Sequence, residues 1–185
     1  MTQAIARFIL RLFGWQTELA VAMVNKCVLV GAPHTTNWDF PIALLGMTAM
    51  GIKFNWVAKH TLFRWPLGIF MRALGGIPLE RNTGGAGFAL KMVETFHDLD
   101  HFILAIAPEG TRHRTDHWKA GFYKIALKSS VPIALGYVDY RKKKIGIGKL
   151  FMPSGNREKD FLQVQGFYSD KSGKYPEKQG EVRLR

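Results

Sequence analysis

Cysteine is almost missing: Cys27 is the only one in 185 residues, so no disulfide can form within the chain, and no Cys/His cluster has the spacing of a zinc site. Acidic side chains are also scarce, with 14 Asp and Glu against 26 Lys and Arg. The resulting formal charge of +12 asks for an anionic partner, and nucleic acid, a bilayer surface and phosphorylated small molecules are all chemically open. No apolar run approaches the ~20 residues that span a bilayer. The N-terminal stretch lacks the layout of a cleavable signal, since arginines interrupt its apolar segment and no small-residue cleavage site follows. These two absences read as a soluble or peripheral protein. Gly84, Gly85 and Gly87 have neither Gly-x-Gly-x-x-Gly spacing nor a P-loop ending, which removes the usual nucleotide fingerprints. There is no internal repeat and no linker long enough to divide domains.

What is present is a core: 47% of residues are hydrophobic, ample for one packed domain. Residues 1–15 form the first unit. There Ile5, Phe8, Ile9 and Leu12 recur at helical spacing with Phe13 beside them, while Arg7 and Arg11 fall on another face. This amphipathic helix can pack on the core or lie in a membrane interface, and Phe8, Phe13 and Trp15 favour the interface. Residues 16–168 alternate strand and helix patterns. Strands are expected at Cys27–Val30, Phe54–Ala58, Phe102–Ala107 and Val131–Val138. The four charges Arg141–Lys144 cap a hairpin whose return strand is Ile145–Phe151. Helices are expected over Phe40–Met50 with Gly51 as the stop, from Pro66 within Leu62–Leu74, over Phe88–His97 and Lys119–Lys128, and from Asn156 to Tyr168 with Ser154 as the cap. The apolar groups of Leu62–Leu74 read first as core, with a pocket lining or membrane-facing wall as the sharper reading. Residues 169–185, polar and rich in Gly and Lys, read as a loosely held tail. The fold class is therefore α/β: a single domain with a mixed, mostly parallel sheet flanked by helices, preceded by an amphipathic helix.

Polar chemistry collects where these strands end. The apolar run before His34 stops at Pro33, and Asp39 follows five residues later. A neutral imidazole can take a proton from a hydroxyl near pH 7, and a carboxylate on its far nitrogen fixes the tautomer. A second strand stops at Pro108-Glu109-Gly110-Thr111-Arg112, and a third, after Gly75-Gly76, runs into Glu80-Arg81. Open α/β sheets keep their sites at such edges, and the planar fork of arginine suits phosphate oxygens. Cys27 reads as a small buried hydrophobe.

These blocks, in this order, resemble those of the glycerophospholipid (1-acylglycerol-3-phosphate type) acyltransferase family. His34 to Asp39 matches its His-x-x-x-x-Asp block and Pro108 to Arg112 its Pro-Glu-Gly-Thr-Arg block. Gly76-Ile77-Pro78-Leu79-Glu80-Arg81 and Val131-Pro132-Ile133 resemble its second and fourth blocks. The resemblance covers residues 25–150 and implies a glycerol-3-phosphate acyltransferase-like fold, with 16–168 as the catalytic domain. It implies His34 as general base and Asp39 as its orienting partner. Arg81, Glu109, Gly110, Thr111 and Arg112 would hold a lysophospholipid or glycerol-phosphate-like acceptor. The co-substrate would be acyl-CoA or acyl-carrier protein, with no metal and no other cofactor. The apolar residues between the first two blocks would house the acyl chain. By the same resemblance the protein would serve phospholipid biosynthesis, be cytoplasmic and sit peripherally on the inner face of an anionic membrane. No nucleic-acid partner is expected, because the basic residues are not interleaved with aromatics on a sheet platform. Two rival readings are a thioester hydrolase using the same His34, and a non-catalytic basic module for membrane or RNA.

Overall fold

A computed structural model describes residues 2–79 and 84–184, with side chains in the second stretch from residue 87 onward. The chain opens with helix α1 (Gln3–Leu12), capped by the Thr2 hydroxyl, then a short strand β1 (Gln16–Leu19) and the first long strand β2 (Lys26–Ala32). Next come α2 (Asp39–Met50), β3 (Asn55–Lys59), a 3-10 turn at His60–Phe63, α3 (Leu67–Ala73), β4 (Gly76–Leu79), α4 (Gly84–Asp98) and β5 (Phe102–Ile106). The remainder is α5 (Gly121–Lys128), β6 (Ile133–Asp139), β7 (Lys144–Phe151) and α6 (Arg157–Tyr168).

Seven strands form one sheet in the order β1-β7-β6-β2-β5-β3-β4, and every pairing is parallel except β6 with β7. The fold is thus the expected single α/β domain with a mostly parallel mixed sheet and an N-terminal helix. From β2 the chain runs to β3 and β4 on one side, returns by β5 and crosses to β6 on the other. The carboxyl end of β2 is therefore a switch point, where such sheets leave a crevice.

One face of the sheet is covered by α4, α5 and α6. Its core runs from Val28, Val30 and Leu104 on the strands to Met92, Phe122 and Val164 on the helices, with Trp118 packed edge-on against Phe122, Phe161 and Tyr168. The other face carries α2, with α1 stacked outside it through Ala6 and Leu10. Helix α3 belongs to this second face, because Phe40 of α2 packs on Trp56 of β3 and Trp56 on Phe63 at the foot of α3. Gly51 closes α2 in the left-handed region at φ 77°, as its sequence position predicts.

Several expectations need correction. Strand β1 was not expected; Gln-Thr-Glu-Leu has no apolar alternation and is a strand only because it pairs with β7, far along the chain. Helix α4 begins at Gly84, four residues before the start expected at Phe88. Asn156, not Ser154, caps α6 by accepting the Lys159 amide, while the Ser154 amide and hydroxyl both donate to buried Asp160. Residues 170–184 are not a loose tail. Tyr140 donates its amide to the Ser172 carbonyl at 2.9 Å and Trp118 donates to the Arg183 carbonyl at 2.7 Å. The glycines that suggested looseness serve close approach: a Cβ on Gly173 would lie 2.7 Å from the Thr35 methyl, and one on Gly180 2.0 Å from the Thr115 carbonyl oxygen.

Candidate active site

Register brings the polar blocks to one rim. Val30 of β2 lies opposite Ile106 of β5, and Ala32 opposite Tyr137 of β6. His34, Glu109 and Tyr140, each two to three residues beyond these pairs, therefore emerge side by side. A cis peptide joins Ala32 to Pro33 at the turn.

Asp39 stands at the first position of α2, where a helix favours a carboxylate. It is 5% exposed. Its Oδ2 lies 2.9 Å from His34 Nδ1 and accepts the Thr35 and Thr36 amides at 2.9 and 3.0 Å. Its Oδ1 accepts the Tyr140 hydroxyl at 2.9 Å. Four donors thus fix this carboxylate against the imidazole. With Asp39 as acceptor, Nδ1 of neutral His34 carries the proton and Nε2 keeps a free lone pair. The His34 side chain is 25% exposed, enough for a hydroxyl to reach it.

The backbone of His34 is held from the opposite face of the sheet: its amide donates to Glu109 Oε2 at 2.8 Å. Glu109 is buried beside Trp118 and Tyr168. Burial raises its carboxyl to about 7, with the His34 amide and ring pulling the other way. Tyr140 sits between Asp39 and Trp15, whose ring meets it edge-on at 5.0 Å. Burial, followed by the Asp39 charge, pushes its hydroxyl far above the ordinary value, so it stays a donor.

The remaining block residues are more open. Gly110 adopts φ +65°, turning the chain sharply where a Cβ would meet the Lys119 side chain at 2.9 Å. Thr111 accepts the His113 amide at 3.2 Å. Arg112 is exposed and donates Nη1 to Asn37 Oδ1, joining the two strand-end blocks across the mouth of the site. Arg81 lies outside the described residues. Cys27 is fully buried, and burial raises its thiol to about 12, fitting an inert core side chain. Among the described residues, no three His, Cys, Asp or Glu side chains converge as a metal site.

Tyr140 and the segment 172–175 escaped the sequence reading. Tyr175 donates its amide to Thr35 Oγ1 at 3.3 Å, placing a distant loop against the residue next to His34. The one available signal for Tyr140 was its place just past the third buried strand, where the rim rule already puts polar chemistry.

Comparison with known proteins bears on the fold and the family. The chain has no match among curated proteins. Among solved structures it is similar to the 1-acyl-sn-glycerophosphate (LPA) acyltransferase PlsC from Thermotoga maritima. The TM-score is 0.57 and the identity 17%, over 88% of this chain and 72% of that one, a likeness of fold. A family model described as Acyltransferase matches residues 17–134, which takes in β1 through the start of β6 and both strand-end blocks. With well over half of its length matched, the chain belongs to the acyltransferase family.

Proposed function

We propose that the protein moves a fatty acyl group from acyl-CoA or acyl-carrier protein to a hydroxyl of a lysophospholipid or glycerol-phosphate-like acceptor, in phospholipid biosynthesis. The observation that carries this reading is the His34–Asp39 pair at 2.9 Å, with the carboxylate buried and the imidazole edge open. Nε2 of His34 takes the proton of the acceptor hydroxyl as its oxygen attacks the thioester carbonyl carbon. The tetrahedral intermediate then expels the thiolate, which takes the proton back from the imidazolium. Asp39 orients the ring and stabilises its charged form, and Tyr140 and the two threonine amides position Asp39. No acyl-enzyme is needed.

Arg112, exposed at the mouth and tied to Asn37, is suited to the phosphate of the acceptor, with Arg81 as its partner. Glu109, Gly110 and Thr111 shape the loop that presents Arg112. The protein would work from the cytoplasmic side, peripherally, on the inner face of an anionic membrane. Helix α1 supports this: it buries Ala6 and Leu10 and leaves Ile5, Phe8, Leu12 and Phe13 exposed beside Arg11.

The test follows free thiol release from a long-chain acyl-CoA with and without lysophosphatidate or glycerol 3-phosphate. Acceptor-dependent release is expected, and His34→Ala should lower kcat by about 10²–10⁴-fold while the circular dichroism spectrum is unchanged. Full activity of the His34→Ala protein would overturn the assignment. Release at one rate whatever the acceptor concentration would favour the thioester hydrolase instead.

A further inference from the structure

The outer surface of the α1–α3 face has a feature that the chemistry at His34 does not use. Of the eighteen exposed large hydrophobic side chains among the described residues, ten fall in two stretches, four in residues 5–13 and six in residues 38–70. The six are Trp38, Leu62, Trp65, Leu67, Ile69 and Phe70, with Trp65 at 85% exposure and Phe70 at 71%. The expectation that Leu62–Leu74 packs into the core therefore fails: in that segment Phe63 and Gly68 are the buried residues.

The reason is local. Helix α3 folds back through Gly68 onto the 3-10 turn that leads into it, where a Cβ would lie 2.0 Å from the Phe63 carbonyl oxygen. Phe63 and Gly68 take the covered side of this short unit, and Leu62, Trp65, Leu67, Ile69 and Phe70 remain exposed. Apolar area of this kind, gathered rather than scattered, marks an interaction surface.

Charge says what covers it. Residues 2–15 and 38–79 contain six Lys and Arg (Arg7, Arg11, Lys53, Lys59, Arg64 and Arg72) and one acid, Asp39, which is buried in the site. A second copy of this chain is a poor occupant, because a two-fold contact sets each patch against itself and would oppose Arg64 and Arg72 with cations. An anionic bilayer supplies both halves of the match: headgroups for the arginines, and an interfacial region that favours tryptophan and phenylalanine.

We propose that α3, with Trp38, is a second bilayer-docking element that acts together with α1, so that the protein rests on an anionic membrane at two points. Trp38 precedes Asp39 directly and is 61% exposed, so docking through it sets the mouth of the His34 site at the headgroup level. An amphiphilic acceptor then reaches the imidazole without leaving the bilayer. This deepens the membrane attachment proposed above, and its test reads binding rather than acyl transfer, so the two can fail separately.

The experiment is co-sedimentation of the intact protein with phosphatidylcholine vesicles, with and without phosphatidylglycerol. The double variant Trp65→Ser/Phe70→Ser should lower the partition coefficient at least about tenfold, with thermal unfolding unchanged. Arg64→Glu/Arg72→Glu should weaken binding to the phosphatidylglycerol vesicles and leave the weak binding to pure phosphatidylcholine as it was. Phospholipids brominated on their acyl chains should quench tryptophan emission in the unaltered protein, and less so after Trp65→Phe. Vesicle binding unchanged by Trp65→Ser/Phe70→Ser would overturn the proposal. So would a dimer, seen by sedimentation, that the same substitutions dissociate, for then a second copy covers the face.

Discussion

On the face covered by α4, α5 and α6, nineteen buried side chains among the described residues join into one core, and the exposed apolar residues there are scattered. On the face carrying α1, α2 and α3 the core of the described residues divides into two clusters of six, and Trp15, Trp56 and Phe63 are buried while Trp38, Trp65 and Phe70 point outward. Both faces draw on the same sheet, so the difference lies in what the helices bring. One set shields the sheet from water; the other presents an apolar, cationic surface while still covering it. His34 stands at the seam, tied to the second face through Asp39 and to the first through Glu109.

The widest separation between the faces should come from tryptophan. Trp118→Ala empties a site that is 1% exposed and should lower unfolding free energy by about 3–5 kcal/mol. Trp65→Ala should change it by less than about 0.5 kcal/mol. Urea unfolding of both variants would measure this, and equal losses would erase the distinction.

Glu109 tests the seam from the core side. Its carboxyl is raised from 4.5 to about 7 by burial, so between those values the folded chain holds more proton there than the unfolded one. The contribution of Glu109 to stability is thus complete below pH 4.5 and is lost as pH rises through about 7. The fall should reach at most about 3 kcal/mol, and Glu109→Gln, which still accepts the His34 amide, should flatten it in denaturation curves taken across that window.

Tyr140 tests the seam from the other side. Tyr140→Phe removes one of four donors to Asp39 and should lower kcat roughly tenfold with KM little changed. A stability loss with kcat and KM both unmoved would mean that Tyr140 only packs.

Much of the architecture was legible from local signals. The runs before His34 and Pro108 are strands, Gly51 stops a helix, and Arg141 to Lys143 form the hairpin turn. The His34–Asp39 pair could be read because both members lie within one turn. Features set by distant partners could not. Strand β1 depends on β7, and Tyr140 reaches Asp39 across 101 residues. Glycine misled in the C-terminal segment, where at Gly173 and Gly180 it means close packing. The apolar composition of α3 resembles that of a core helix, and only the packed neighbours decide whether such side chains are covered.

The Tyr175–Thr35 contact also has a consequence for the order of assembly. During synthesis β2, His34 and Asp39 leave the ribosome early, yet the loop beside the imidazole is braced by a residue that follows 140 positions later. A nascent chain lacking residues 172–175 can hold the His34–Asp39 pair but not the brace on Thr35. The brace on Thr35 therefore waits for a segment that is made after every strand of the sheet and after α6.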